Sequence, residues 1–166
     1  PFVEADQGSR IEIFHGAHGR SEDHSAIRTF VPFNINGEPT LLAGYVCTPL
    51  VKFPLSSLKA GKKTVGTTVA ELGNRNRPLD MIVYEKDGKD FLLLANSARG
   101  VMKISTEDIA TNEGLSNKVS GTAGQTYDTI ASLQGVVQLD KLNPTTAIVL
   151  IQTENGAMHL KSVELP

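Results

Sequence analysis

The stretch DMIVYEKDGKDFLLLANSARGVMKIS, residues 80–105, decides the fold class of this chain. Two apolar runs, residues 81–84 and 91–94, flank the pair Asp87-Gly88. Such a pair between β-type runs favours a tight hairpin, because the turn needs positive φ angles that Asp tolerates and Gly allows. A third apolar run follows after a short polar turn. The stretch therefore predicts three antiparallel strands in a meander.

The same order of runs and turns recurs at two other places in the sequence. Residues 29–37 align with residues 80–88, and residues 148–150 align with residues 92–94. Because apolar runs and turns coincide in all three copies, the pattern indicates an internal repeat. The turn pairs that coincide are Asn36-Gly37, Asp87-Gly88 and Asn143-Pro144.

A repeat of roughly 40–55 residues made of short strands resembles a β-propeller blade. Its apolar strand, Asp-Gly or Asn-Gly turn, leucine-rich strand, polar turn and amphipathic strand are similar to those of WD40, NHL and YVTN blades. The chain has no Trp, so it lacks the Trp-Asp dipeptide of WD40 repeats. The resemblance implies an all-β fold, a β-propeller portion with three four-stranded blades at 27–72, 80–130 and 135–166. Residues 10–14 would then be the outer strand of a preceding blade.

Three blades are too few to close a ring, since propellers use about 4–8. The sequence also stops directly after the third strand of the last blade, which leaves that blade without its fourth strand. We therefore expect the C-terminal part of a larger propeller. Its partners would be the missing blades, supplied by the same precursor or by another chain.

The composition and charge of the chain argue against some classes of function. Hydrophobic residues make up 40% of the chain and charged residues 20%, which is typical of a folded domain. The net charge is −2 and basic residues are not clustered, so we expect no nucleic-acid partner. No apolar run is long enough to span a bilayer. The chain starts without Met, which favours an exported protein, periplasmic or secreted, with a cytoplasmic protein as the alternative.

Three of the four histidines, His15, His18 and His24, lie within ten positions of a loop rich in Gly and polar residues. Neutral imidazole is a good metal ligand and titrates near neutral pH. One interpretation is a ligand-binding site that uses all three, with His15 and His18 as metal ligands. The other is structural, because loop histidines often bond neighbouring strands or face solvent.

A second polar group comes from the loops that the repeat places on the same face. Arg75 and Arg77 offer fork-shaped donors that suit carboxylate or phosphate, and Arg99 follows the second strand of its repeat. Asp80 opens an inner strand near the expected channel mouth. These four residues are candidate ligand contacts, and the structural alternative is that they bridge adjacent blades. Cys47, the only cysteine, is expected to be an inert thiol.

The favoured function is a propeller that binds a small ligand or a protein partner with this His- and Arg-rich face. The alternative is an exported propeller enzyme with its site at the channel mouth. A metal-assisted hydrolase such as a lactonase, or an oxidoreductase, would be the reaction class. The sequence contains no motif that names a cofactor.

Overall fold

The computed structural model describes residues 8–47 and 49–166. Apart from one short 3-10 helix, Leu55–Ser57, the elements of this described part are β-strands in sheets of three to five strands. The fold is therefore all-β, as the repeat predicts. None of the helical structure in these residues is long and apolar enough to cross a membrane. In chain order the strands are β1 (Arg10–His15), β2 (Arg20–Glu22), β3 (Ile27–Ile35), β4 (Glu38–Tyr45), β5 (Pro49–Pro54), β6 (Lys63–Val65), β7 (Thr67–Leu72), β8 (Pro78–Lys86), β9 (Lys89–Asn96), β10 (Gly100–Ser105), β11 (Thr122–Gly124), β12 (Tyr127–Thr129), β13 (Val136–Asn143), β14 (Thr146–Gln152) and β15 (Met158–Glu164).

Three antiparallel sheets follow one another along the chain. The first has the order β11-β7-β5-β4-β3, the second β12-β10-β9-β8 and the third β13-β14-β15. A four-stranded unit at 27–72 requires a last strand near its end, which corresponds to β7, and the unit at 80–130 requires another, which corresponds to β12. Within the residues described, the third sheet has three strands.

The tight hairpins form where the turn pairs predict them. Asp87 and Gly88 have φ angles of 54° and 72°, and Asn36 and Gly37 have φ angles of 51° and 86°. Two successive positive φ angles define the turn whose twist matches the flanking strands. The turns therefore set the register of the hairpins, as in the pairing of Lys86 with Lys89.

The leucine-rich strands are buried on both faces, which explains why they read as continuous apolar runs. Leu92 and Leu94 of β9 pack in a core shared with the first sheet. Leu93 and Ala95, which point to the opposite face, pack in a core shared with the third sheet. The second sheet is thus enclosed between its two neighbours.

The N-terminal strand β1, expected as the outer strand of a preceding blade, has strand partners on both of its edges. It forms a hairpin with β2, and it also pairs in parallel with β6, where Ile11 lies opposite Thr64. Ile13 of β1 is buried in a third core with Tyr45 and Phe53 of the first sheet. Residues 10–14 are therefore bonded to the strand segment that follows β5, a pairing that apolar periodicity does not reveal.

The segment after β10 returns to the first sheet before it completes the second. Residues 112–124 are rich in Gly, Ser, Asn and Thr, a composition typical of a loop, but the last three of these residues form β11 on the edge of β7. Composition does not reveal this strand because an open strand edge, not a local apolar pattern, selects the pairing. Gly124 is required there, since a Cβ atom would lie 2.1 Å from the carbonyl oxygen of Val69.

Pro32 lies inside β3, where a strand prediction would normally exclude proline. The sheet order makes β3 an edge strand, so the missing N–H of Pro32 removes no ladder hydrogen bond on the outer side. Pro32 therefore lies in a strand position that tolerates proline.

Candidate functional site

A buried polar cluster lies at the hairpin formed by β1 and β2. His15 ends β1 and Glu22 ends β2, and the backbone N–H of Gly19 closes the turn on the carbonyl of His15 at 2.8 Å. His18 lies in this turn, and its side chain is 45% exposed. The sequence folds in this way because Gly19 has a φ angle of 68°, which a chiral residue rarely adopts.

Glu22 is the centre of the cluster, although its side chain is only 3% exposed. Its Oε2 lies 3.0 Å from His15 Nδ1, and its Oε1 lies 2.7 Å from His18 Nδ1. Arg20 Nε donates to Oε1 at 3.0 Å, and Ser25 Oγ donates to Oε2. Four donors thus surround one buried carboxylate.

These contacts decide the charge of Glu22. Burial alone would raise the pKa of this carboxyl, because a buried charge loses hydration. The hydrogen bonds from Ser25, His18, His15 and Arg20 outweigh burial and hold the pKa below its ordinary range. Glu22 is therefore a carboxylate at neutral pH and accepts from each of its four neighbours.

His15 is 2% exposed, and burial lowers the pKa of its imidazole, opposed by the hydrogen bond to Glu22. Its ring lies on that of His18 with 3.8 Å between centroids and a 34° tilt. The Nε2 atom of His15 is buried without a hydrogen-bond partner among residues 8–47 and 49–166. Buried polar atoms are nearly always paired, so this nitrogen requires an explanation.

Glu71 lies beneath the same hairpin turn and was not predicted as a site residue. It is fully buried in β7, and its Oε2 accepts from the backbone N–H of Ala17 at 3.2 Å. Its Oε1 has no partner within the described part of the chain. Burial raises the pKa of Glu71 to about 7. The available signal was one acidic residue in the otherwise apolar end of a strand, Val69-Ala70-Glu71-Leu72.

His24 lies apart from the cluster. Its side chain is 73% exposed, and its Nδ1 is 3.7 Å from Asp23 Oδ1. A ligand atom from each of His15, His18 and Glu22 lies within 4.8 Å of the other two, which defines the group that could hold a metal ion. The structure thus brings together the two histidines predicted as metal ligands and adds Glu22 to them.

The predicted polar residues of the other loops have mainly structural contacts. Arg99 Nη2 lies 3.4 Å from the carbonyl of Asn74, and the guanidinium packs over Gly73. Asp80 bonds the backbone N–H groups of Met81 and Leu139, both at 3.0 Å. Whether these two residues also contact a ligand stays a prediction.

Arg75 and Arg77 are both exposed, as a ligand contact would require. The backbone N–H of Arg77 donates to Ser97 Oγ at 2.9 Å, and Arg75 has a positive φ angle of 60°. Their role in binding stays a prediction. Between them, Asn76 is buried, and its Oδ1 accepts from Asn96 Nδ2 at 2.7 Å. Asn76 therefore joins two loops rather than facing a ligand.

No protein-family model, curated protein or solved structure matches this chain.

The geometry of the site indicates its chemistry. The cluster combines an ionised carboxylate, two imidazoles and, beneath the turn, a carboxyl group that titrates near neutral pH. Such a set can bind a cation or position a polar ligand.

Proposed function

We propose that this chain is a portion of a β-propeller that binds a ligand or partner at the loop face carrying His15, His18 and Glu22. The propeller is supported by the order of the sheets, since β3 packs on β8 and β8 packs on β13. The first strands of successive sheets are thus neighbours, as they are around a propeller axis. The repeat in the sequence supports the same arrangement.

The observation that carries the binding role is the unpartnered Nε2 of His15, among the residues described, beside the half-exposed ring of His18. An unsatisfied buried polar group costs about 1–3 kcal/mol. A purely structural cluster uses only the Nδ1 of His15, which bonds Glu22, and gains nothing from the buried Nε2. A ligand that reaches Nε2 past His18 explains why a polar atom is kept there.

A thermal-shift series tests this role with defined probes: inorganic phosphate, acetate, citrate, Mg²⁺, Ca²⁺, Zn²⁺ and Ni²⁺. We expect at least one probe to raise the Tm of the wild-type chain and of His24→Gln, because His24 lies outside the cluster. The same probe should have a much smaller effect on His18→Gln. The binding role would be contradicted if no probe raised the Tm, or if His18→Gln and His24→Gln responded like the wild type.

The alternative function is an exported enzyme, either a metal-assisted hydrolase such as a lactonase or an oxidoreductase. It is favoured by Glu71, because a buried carboxyl with a pKa of about 7 suits general acid–base catalysis near neutral pH. Hydrolysis of a simple γ-lactone that is lost in Glu71→Gln, with Tm retained, would support the hydrolase. Equal rates in the two proteins would exclude this role of Glu71.

The proposed partner of the third sheet is a further sheet of the same kind, from the same polypeptide or another chain. One face of the third sheet packs on the second sheet, where Leu139 and Val149 are buried. On the other side of the sheet Ile148 and Leu150 are only partly covered, and Leu160 is 67% exposed. Because each earlier sheet has apolar neighbours on both faces, a further sheet would continue the series.

A further inference from the structure

We propose that the outer edge of β15 pairs in antiparallel orientation with β15 of a second copy of this chain. Two third sheets then join into one continuous sheet, with a two-fold axis between the two copies of β15. This interface is a sheet edge and not the loop face of His15, His18 and Glu22, so it goes beyond the function proposed above.

The corresponding edge is filled in the other two sheets. β7 pairs antiparallel with the outer side of β5, and β12 pairs antiparallel with the outer side of β10. β15 holds the same place in the third sheet, but no strand among residues 8–47 and 49–166 pairs with its outer edge. The third sheet therefore has an empty position that a strand of the same chain takes in the first two.

β15 also lacks the features that keep edge strands from pairing with other chains. Proline, irregular pairing and short length are the usual protections. The edge strands β3 and β8 contain Pro32 and Pro78, β13 has two register shifts, and β2, β6, β11 and β12 have three residues each. β15 has seven residues, no proline and no register shift against β14. Of the sheet edges in the described part of the chain, it is the most open to pairing.

The backbone groups that point to this free edge follow from the bonds between β14 and β15. The N–H of Thr153 donates to the carbonyl of Ala157 at 2.9 Å. The N–H of Leu165 donates to the carbonyl of Thr145, also at 2.9 Å. Because hydrogen-bonded positions alternate along an antiparallel strand, the odd-numbered residues of β15 bond β14. The N–H and C=O groups that point outward belong to Met158, Leu160 and Ser162.

These residues are self-complementary in one two-fold register, which argues for a second copy as the occupant. With Leu160 opposite Leu160 of the second copy, Met158 lies opposite Ser162, and each pair exchanges two backbone hydrogen bonds. Leu160 is 67% exposed and Met158 is 53% exposed, so the pairing covers apolar surface. A shift toward the C-terminus would set Lys161 opposite Lys161, a destabilising like-charge pair. The opposite shift would set Ser162 opposite Gly156, outside the strand.

Residue-resolved hydrogen exchange of the wild-type chain at low and high concentration tests the pairing, with sedimentation velocity on the same samples. We expect dimers at high concentration. The backbone amides of Met158, Leu160 and Ser162 should then exchange roughly tenfold more slowly than in the dilute monomer. The amides of His159 and Lys161, which point toward β14, are the internal control and should change much less.

Two charge variants test the register. Leu160→Glu and Leu160→Lys should each weaken dimerisation, because each places like charges opposite one another across the axis. An equal mixture of the two should form a mixed dimer with a Kd roughly tenfold lower than that of either variant alone. Val65→Glu and Val65→Lys, at a residue 62% exposed on β6, are the matched control, and mixing them should have no effect.

A wild-type chain that stays monomeric at every concentration would overturn the proposal. A dimer in which the amides of Met158, Leu160 and Ser162 exchange as fast as in the monomer would also overturn it, because association would then use the open face of the sheet. Equal protection of these amides at all concentrations would show that another segment of the same chain fills the edge, and would exclude the second copy. A mixture of the Leu160 variants that binds no more tightly than either alone would rule out the Leu160 pairing.

Discussion

Asp80 on β8 accepts a hydrogen bond from the backbone N–H of Leu139 on β13, with 3.0 Å between Oδ2 and the nitrogen. The two strands belong to different sheets, so this carboxylate joins the second sheet to the third. Its Oδ1 accepts from the backbone N–H of Met81, also at 3.0 Å. A residue predicted as a ligand contact therefore has a structural role between successive sheets.

Asp80→Ala should destabilise the chain by about 1–3 kcal/mol, because it leaves the partly buried N–H groups of Leu139 and Met81 without their acceptor. Urea unfolding at pH 7 measures the difference. Asp90→Ala is a matched control, since Asp90 is exposed in the turn region of β9. Equal unfolding midpoints for Asp80→Ala and Asp90→Ala would show that the bond between sheets contributes nothing.

Glu71→Gln should stabilise the chain at alkaline pH and not at acid pH. Burial raises the pKa of Glu71 from 4.5 to about 7. Between these two pH values the carboxyl is ionised in the unfolded state but still protonated in the folded state. Below pH 4.5 the carboxyl is protonated in both the folded and the unfolded state, so its ionisation does not affect stability. As the pH rises from 4.5 to about 7 the wild type loses stability, by on the order of 3 kcal/mol in full.

The free energy of unfolding of wild type and Glu71→Gln, measured from pH 4 to pH 8.5, tests this sign. The free energy of unfolding of the variant should increase relative to that of the wild type as the pH rises. Gln keeps an acceptor for the N–H of Ala17 but cannot ionise. Glu154→Gln, in an exposed turn, serves as the control. A constant difference between wild type and Glu71→Gln over this range would contradict the raised pKa.

Glu22→Gln should destabilise the hairpin at pH 7 by about 3 kcal/mol, since an amide cannot accept four hydrogen bonds and the charge that pairs with Arg20 and the histidines is lost. The backbone amides of β1 and β2 should exchange hydrogen faster in the variant, because the hairpin opens more often. Glu113→Gln, in the segment after β10, should leave this exchange unchanged. Unchanged protection in Glu22→Gln would mean that the carboxylate does not organise the hairpin.

The uncovered face of the third sheet should cause self-association of the isolated chain. Leu160 on β15 is 67% exposed, and the outer edge of β15 is unpaired among residues 8–47 and 49–166. Leu160→Asp should shift sedimentation-velocity profiles toward the monomer. Val65→Asp, at a residue 62% exposed on β6, should have a smaller effect. A wild-type chain that stays monomeric at all concentrations would argue against a docking face on β15.

The local elements of the fold could be predicted because they depend on short-range patterns. Asp87-Gly88 fixes a turn, and the apolar run at 91–95 requires burial on both faces. The parallel pairing of β1 with β6 and the return of β11 to β7 could not be predicted. Strands of three residues carry too little periodicity, and their pairing depends on which edges the rest of the fold leaves open.

The site was predictable only where its residues are close in sequence. His15 and His18 lie on one hairpin turn, so their spacing places them together. His24 lies only six positions further on but beyond β2, and its ring faces solvent. Glu71 reaches the same turn from a strand more than fifty residues away, which no local pattern could indicate.

The most direct measurement of the central claim is a crystal structure of the chain soaked with the probe that raises its Tm most. The account predicts density for that probe against the cluster of His15, His18 and Glu22. Density for the probe only at exposed residues such as His24 or His159, with none at the cluster, would contradict it.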